Sequence, residues 1–248
     1  MAKELNVTEI ELSREWAQFE RDVADLDGYV YTTNPSLSSR IASRRHSDAI
    51  HDALEFRDKR VIDIGCGDGT YSIELYDRGR PSSMYALDPA AKAVEIARRK
   101  AGTRQITFEV ASAYDIPCDD NSFEIAHLRG VLHHMDRPFD AISEALRVAP
   151  TMIMLEPNGY NMGLKLIEKA SRYHREHGEK SYPPSRLDGY VRRLGAQVTD
   201  RSFVCLVPYF CPDWFARTMK RIEPIVESFP VANQLGCSTY IMVARRNA

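Results

Sequence analysis

Short apolar runs alternate with helix-like segments along the middle of the chain. The runs are bounded by turn residues, as expected for strands that are buried on both faces, and they cover 61–65, 83–88, 106–110, 123–128 and 151–156. Apolar residues recur at three- and four-residue spacing over 69–79, 89–101 and 136–148, which predicts amphipathic helices. Repetition of strand, helix and strand predicts a parallel sheet with helices on both faces.

Two further strands are predicted near the end of the chain, at 197–207 and 238–246, where β-branched and aromatic residues are enriched. An extended insert separates them instead of a plain crossover helix, so one of the two is expected to run antiparallel. We therefore expect an α/β fold with a doubly wound, mostly parallel, Rossmann-like sheet of seven strands.

The pattern predicts one domain over residues 1–248, because no interdomain linker, repeat or low-complexity tract interrupts it. Residues 1–50 are expected to form a helical lid that ends in the loop GYVYTTNPSLSSR. The remaining parts are a cofactor-binding core at 51–157, two substrate-side inserts at 158–184 and 208–230, and the rest of the core at 185–207 and 231–248.

Composition and charge exclude several classes of protein. The 248 residues are 44% apolar and 27% charged, as in ordinary folded domains, and a net charge of −2 supplies no basic field for nucleic acid. No apolar stretch reaches the roughly 18 residues that span a bilayer, and the first residues do not resemble a signal peptide. We expect a cytoplasmic protein with no membrane or nucleic-acid partner. Five scattered cysteines without a C-x-x-C pair predict reduced thiols and no zinc site.

A glycine-rich turn carries the main functional signal. The strand 61–64 runs into Gly65-Cys66-Gly67-Asp68-Gly69-Thr70 and then into a helix, a context in which a ligand can approach the backbone. Asp88 ends the next strand, where its carboxylate can accept hydrogen bonds from ribose hydroxyls. Thr70 stands where the dinucleotide fingerprint requires glycine or alanine. A turn without a ligand remains the alternative.

The chain at this point resembles the class I S-adenosylmethionine-dependent methyltransferases, in particular the small-molecule group related to the ubiquinone-pathway methylases. The resemblance covers residues 60 to about 157. The residues that carry it are VIDIGCGDGT (61–70), ALD (86–88), ASAYDIPCDDNSFEIAHL (111–128) and VLHHMDRP (131–138).

The resemblance implies S-adenosylmethionine as the cofactor, with S-adenosylhomocysteine as its product, and it implies roles for matching residues. Asp63, Gly65, Gly67 and Gly69 would hold the methionine part, and Asp88 the ribose. Where the family commonly has an acidic residue for the adenine amino group, this chain has Ser112 and Ala113. The Ser112 hydroxyl can still accept that hydrogen bond. Arg129, just past strand four, is a further candidate for cofactor binding because it would face the same cleft, and the alternative is an arginine that points to solvent.

Histidines and an aromatic, polar segment are the candidates for chemistry on the acceptor. His133 and His134 follow strand four directly, as a general base or as packing at a helix start. The segment after strand five predicts an acceptor pocket, together with Tyr31 from the lid. Its candidate residues are Glu156, Asn158, Tyr160, Asn161, Tyr173, His174 and His177. His174 and His177 could share a helix face, but no third ligand stands at metal-site spacing. The aromatic cluster at 209–215 is expected to be either a small core or a ligand cage.

Together these features predict methyl transfer to oxygen or nitrogen of a small polar metabolite, such as a sugar, a nucleoside or a natural-product intermediate. Two alternatives stay open. A nicotinamide-dependent oxidoreductase would share the fold and Asp88, and a noncatalytic adenosylmethionine-binding subunit could act as a scaffold.

Overall fold

The computed structural model describes residues 28–170 and 180–246 of the chain. Most of the expected N-terminal lid and three candidate acceptor residues, Tyr173, His174 and His177, lie outside the described residues. Within them, no helix is long and apolar enough to cross a membrane.

The described residues form an alternation of strands and helices. The first half comprises α1 (Val30–Thr33), α2 (Leu37–Ala53), β1 (Arg60–Ile64), α3 (Thr70–Gly79), β2 (Ser83–Asp88), α4 (Ala91–Ala101), β3 (Ile106–Val110) and β4 (Ile125–Arg129). The second half comprises a 3₁₀ turn (Leu132–His134), α5 (Pro138–Val148), β5 (Thr151–Pro157), α6 (Met162–Ala170), α7 (Pro184–Arg193), β6 (Ala196–Val204), α8 (Asp213–Ser228), α9 (Pro230–Gly236) and β7 (Thr239–Arg246).

The strands of this part of the chain form one seven-stranded sheet in the order β3-β2-β1-β4-β5-β7-β6. The first five strands in that order run parallel, and β7 pairs antiparallel with both β5 and β6. The predicted fold class, including an antiparallel strand near the end of the chain, is therefore confirmed. Since the order reverses direction from β1 to β4, the carboxyl ends of these two strands flank the point where open α/β sheets bind ligands.

The interior of the sheet is apolar on both faces. Ile62, Leu128 and Met152 on the central strands are fully buried and belong to a cluster that includes residues of α5 and α7. On the opposite face, Ile50 of α2 and Leu75 of α3 pack in a second cluster with the other side chains of β1 and β5. The buried core on both faces of the sheet therefore fixes the strand ends that carry the site.

The segment expected to be a loop is largely helical. Ser36 caps α2, because its hydroxyl accepts a hydrogen bond from the Ser39 amide, and helix follows from Leu37. Serine and asparagine are typical of loops in a sequence, but serine is also a preferred residue at helix starts. Helix α2 then packs against β5, β6, β7 and α8, so residues 37–53 belong to the folded body of the domain.

Candidate active site

The glycine-rich turn after β1 is hydrogen-bonded to the end of β2. The Gly67 amide donates to Oδ2 of Asp88 and the Ala90 amide donates to Oδ1, both over 2.9 Å. Burial raises the pKa of the Asp88 carboxyl to about 6. A carboxylate has about four lone-pair positions, so Asp88 can accept further hydrogen bonds from a ligand.

Other parts of the chain approach the glycines of this turn closely. Gly67 has a φ of +53°, and a Cβ there would lie 2.7 Å from the ring of Tyr29. A Cβ on Gly65 would lie 2.4 Å from Val131, and one on Gly69 would lie 2.6 Å from Ala97. Side chains are therefore excluded at all three positions by the protein itself, and at Gly67 the excluding residue comes from the N-terminal segment.

Asp68 ties that N-terminal segment to the turn. Its Oδ2 accepts hydrogen bonds from the Thr32 hydroxyl over 2.6 Å and from Lys100 over 2.9 Å. Burial alone would raise the pKa of Asp68, but these hydrogen bonds outweigh burial and the pKa lies below its usual value. The ring of Tyr29 also packs against the first turns of α4. Tyr29 thus lies over the turn and belongs to the N-terminal segment that was expected to act as a lid.

Asp63 is placed differently from the expectation that it holds the cofactor. Its Oδ1 lies 2.8 Å from Nδ1 of His127, and its Oδ2 accepts a hydrogen bond from the Ser72 hydroxyl. All three side chains are buried. Asp63 therefore fastens β1 to β4 and to α3 beneath the turn.

Ser112 and Ala113 follow β3 beside the end of β2. The amide of Ala111 donates to the carbonyl oxygen of Asp88, so this loop and the Asp88 backbone are adjacent. Ser112 is half-buried and its hydroxyl accepts a hydrogen bond from the Tyr114 amide, while Ala113 is buried in the core. Ser112 keeps its hydroxyl proton for donation, whereas Ala113 offers only backbone.

A carboxylate and a histidine are paired where β4 and β5 end. Glu156 is fully buried, and its carboxylate accepts hydrogen bonds from the backbone amides of Val131, Leu132 and His133 over 2.8–3.2 Å. Nδ1 of His133 lies 2.8 Å from Oε2 of the same carboxylate. With Nδ1–H donated to Glu156, Nε2 is the ring nitrogen whose lone pair can take a proton. The pair can therefore act as an oriented general base.

A cavity of about 310 Å³ opens beside this pair. Its lining is mostly aromatic and apolar, with several polar groups between. The residues that line it are Tyr31, His46, Tyr71, Arg129, Gly130, His133, His134, Leu155, Pro157, Leu164, Ser181, Pro208, Tyr209, Phe210, Ser238 and Thr239. Its volume lies at the lower end of the range for small-molecule sites. Among the candidates from the sequence, Tyr31, Arg129, His133 and His134 reach this cavity.

The other described acceptor candidates do not line the cavity, which corrects the expectation for them. Nδ2 of Asn158 donates to the carbonyls of Gln234 and Cys237. Nδ2 of Asn161 donates to the carbonyls of Gly236 and Cys237. The Tyr160 hydroxyl accepts from the Ser185 amide and its ring stacks on Phe203. The two asparagines therefore join the insert after β5 to the segment before β7, whereas Tyr160 contacts α7 and β6. Glu156 contacts His133, which lines the cavity.

The second insert, which was expected on the substrate side, supplies the opposite side of the cavity together with α2, whose contribution the sequence did not reveal. Tyr209 and Phe210 pack around Tyr31, with ring centroids 5.2 Å and 5.6 Å from it. His46 bridges the Tyr209 hydroxyl and Thr239, with contacts of 3.1 Å and 2.8 Å. Burial, and then the charge of Arg129, lowers the pKa of His46 to about 3, so its ring is neutral. The aromatic cluster at 209–215 was the available signal, whereas nothing in the sequence distinguishes His46.

Comparison with known proteins identifies the central segment. Residues 62–160 match a family model described as a methyltransferase domain. The chain is 33% identical over 78 residues to a demethylmenaquinone methyltransferase of Deinococcus radiodurans, a match that covers 31% of this chain and 32% of that protein. Matches to three curated relatives span 32% to 41% of their lengths.

Two solved structures share the fold over nearly the whole chain. A methyltransferase dependent on S-adenosylmethionine, from Thermotoga maritima, superposes with a TM-score of 0.68 at 20% identity, covering 94% of this chain and 100% of that one. The magnesium protoporphyrin IX methyltransferase of Synechocystis PCC 6803, solved with bound S-adenosylhomocysteine, gives 0.63 at 15% identity, with 97% and 99% covered. Residues 62–160 of this chain therefore form a methyltransferase domain, and the chain has the class I S-adenosylmethionine-dependent methyltransferase fold.

Proposed function

We propose that this protein binds S-adenosylmethionine and methylates an oxygen or nitrogen of a small molecule, with His133 as the general base. The observation that carries the proposal is that His133 lies on the wall of a cavity beside the glycine-rich turn and is paired with the buried carboxylate of Glu156. The family match and the fold supply the cofactor class.

The residues around the turn fit such a cofactor. Asp88 offers a buried carboxylate with acceptor capacity to spare, at the strand end where ribose hydroxyls are bound in doubly wound folds. The turn has no side chain at Gly67, and Ser112 lies on the adjacent loop for the base. Tyr29 lies over the turn and would exclude water from it.

The acceptor side needs positioning and removal of one proton. Nε2 of His133 would take the proton of the acceptor oxygen or nitrogen. Bound S-adenosylmethionine would supply the methyl group to that atom, with its sulfonium sulfur as the leaving group. Glu156 stabilises the protonated imidazole and keeps the ring oriented. Such orientation of reactants can lower a barrier by roughly 7 to 11 kcal/mol.

The two alternative functions differ from this proposal in observable ways. The methyltransferase family match and Thr70 in the turn disfavour a nicotinamide enzyme. A noncatalytic scaffold has no need of a cavity with an oriented histidine on its wall. Neither alternative predicts that removal of the His133 imidazole stops methyl transfer.

The test combines binding and turnover on the full chain. Calorimetry should show binding of S-adenosylhomocysteine and no binding of NAD or NADP. His133→Asn should lower the turnover of an accepted substrate by about 100-fold or more, since a general base contributes about that factor. The affinity for S-adenosylhomocysteine should stay unchanged. His51→Asn is the matched control, because His51 lies outside the cavity against Phe56. Tight NAD binding, or full turnover by His133→Asn, would contradict the proposal.

A further inference from the structure

Arg129 carries a charge that no other described residue neutralises. It ends β4 and is half-buried; Nη1 donates to the Ser47 hydroxyl over 2.9 Å and Nη2 to the carbonyl of Ser43 over 3.2 Å. Its guanidinium lies 3.6 Å from the centroid of the Tyr71 ring. These partners are all uncharged, and in residues 28–170 and 180–246 no carboxylate is ion-paired with Arg129. Two of its five N–H donors are used in these hydrogen bonds.

Glu74 of α3 shares the Ser47 hydroxyl with Arg129, but its carboxylate is not ion-paired with Arg129. Glu74 accepts from the Ser47 hydroxyl over 2.8 Å through Oε2 and forms an ion pair with Arg78 through Oε1. The planar guanidinium of Arg129, held by Tyr71 and the two serines, is therefore preoriented. A fixed arginine fork matches the geometry of a carboxylate.

The charge of the cavity follows from its lining. Arg129 is the one permanently charged side chain among the described residues that line it, and no aspartate or glutamate is among them. His46, on the same wall, is neutral because burial and Arg129 lower its pKa to about 3. A cationic acceptor would meet an uncompensated positive charge there, whereas an anionic acceptor would neutralise it.

The shape and chemistry of the walls select a flat ring. Tyr31, Tyr209 and Phe210 form contiguous aromatic contacts at the cavity, and Leu155 and Pro157 add apolar surface. Aromatic side chains bind ring faces and edges favourably. A cavity of about 310 Å³ accommodates a compact ligand of one or two rings.

We infer that the methyl acceptor is an aromatic hydroxy acid, whose carboxylate binds Arg129 and whose hydroxyl faces His133. The inference rests on the proposed function and narrows its acceptor class. Arg129 and His133 are four positions apart on the segment that leaves β4, so both reach the same cavity. A ring between the two groups separates the carboxylate from the reacting hydroxyl.

The first test compares acids with neutral isosteres by calorimetry on the full chain saturated with S-adenosylhomocysteine. The probes are 3,4-dihydroxybenzoate and 6-hydroxy-2-naphthoate, in which the ring system separates the carboxylate from a hydroxyl, each against its carboxamide. The acids should bind at least tenfold more tightly than the amides. Equal affinity, tighter binding of the amides, or no binding of either acid would overturn the inference.

The second test removes the charge of Arg129 or keeps the charge without the guanidinium group. Arg129→Gln should abolish the preference for the acid, and Arg129→Lys should keep part of it, since lysine retains the charge but not the planar fork. Arg44→Gln is the matched control, because Arg44 is an exposed arginine of α2 that does not line the cavity. A preference that survives in Arg129→Gln would overturn the assignment of the carboxylate to Arg129.

Two further readouts separate this inference from its alternatives. Arg129 also docks α2, so thermal melting of each variant checks the fold; if Arg129→Gln does not fold, the wild-type comparison and Arg129→Lys still decide. An acid preference in a protein that performs no methyl transfer would refute the proposed function and leave the cavity chemistry standing. Methyl transfer to neutral or cationic acceptors alone would support the proposed function and refute the inference that the acceptor is an aromatic hydroxy acid.

Discussion

The backbone amide of Gly67 donates to the buried carboxylate of Asp88 over 2.9 Å, and this hydrogen bond joins the glycine-rich turn to the neighbouring strand. One carboxylate therefore shapes the turn and faces the proposed ribose position. The protonation state of Asp88 should therefore affect both the shape of the turn and binding at the proposed ribose position.

The affinity for S-adenosylhomocysteine should fall as the pH drops through about 6, because the pKa of Asp88 is raised to that value by burial and the protonated carboxyl loses acceptor capacity. The effect of pH on the folding stability of the ligand-free protein has the opposite sign. A raised carboxyl pKa contributes stability that is present below the unfolded pKa and is lost as the pH rises through about 6. Calorimetry from pH 5 to 8 measures the first effect. Asp88→Asn should bind more weakly and without this pH dependence, and an unchanged profile in Asp88→Asn would assign the titration to another group.

Gly67→Ala should weaken cofactor binding at least tenfold, because its Cβ would displace the ring of Tyr29 that lies 2.7 Å away. Gly195→Ala is a matched control for backbone strain alone, since Gly195 has a φ of +75° with open space around its Cβ position. Both variants should lose about 1 kcal/mol of stability, measured by denaturant unfolding. Only Gly67→Ala should lose affinity, and equal affinities in the two variants would contradict the role of Tyr29.

Thr32→Val should speed hydrogen exchange of residues 29–33 and reduce cofactor affinity, because it removes the 2.6 Å hydrogen bond to Asp68. Thr33→Val is the control; its hydroxyl bonds the Tyr29 carbonyl within the same short helix and does not contact Asp68. Mass spectrometry of exchange with and without S-adenosylhomocysteine measures both. The expectation that this segment acts as a lid requires added protection on binding, and identical exchange in the two states would refute it.

Glu156→Gln should lower the turnover number by about 10-fold to 100-fold with a small effect on the acceptor KM, because the imidazole of His133 loses its charge partner. The variant also places an amide among three backbone donors, at a cost of about 1–3 kcal/mol in stability. Steady-state kinetics as a function of pH distinguishes the two effects. A role in orienting the base shifts the pH profile, whereas a purely structural role lowers the melting temperature and leaves the profile in place.

Phe210→Ala should raise the acceptor KM, since Phe210 lines the cavity and packs on Tyr31. Tyr160→Phe should leave acceptor kinetics unchanged, because Tyr160 lies away from the cavity and its hydroxyl serves the Ser185 amide. Kinetics with the same acceptor at saturating cofactor compare the two. A raised KM in Tyr160→Phe would restore the first insert as the acceptor pocket.

The strands were predictable because burial on both faces leaves a direct signature, as in the run at Val61 to Ile64, where every side chain is buried. The glycine-rich turn and Asp88 were predictable for a similar reason, since both lie within one strand-turn-helix unit. Local sequence carries that information.

The acceptor side was not predictable in the same way, because its contacts join distant parts of the chain. Asn158 lies after a central strand, where functional residues gather, yet its amide is bonded to carbonyls at Gln234 and Cys237. His46 reaches Thr239 across 193 positions. Residue type suggests that such side chains are polar partners, but only the folded chain decides whether the partner is a ligand or a backbone carbonyl.

The antiparallel strand β7 also dictates an order of assembly. It lies between β5 and β6 and is the neighbour of both, so β6 has no partner in the sheet until residues 239–246 have emerged from the ribosome. Until then the edge of β5 is exposed, and the second insert, with Tyr209 and Phe210, has no completed wall to close against. During synthesis, the half of the sheet that carries the glycine-rich turn can therefore form early, whereas the cavity beside His133 is completed by β7, the last strand of the described sheet to be made.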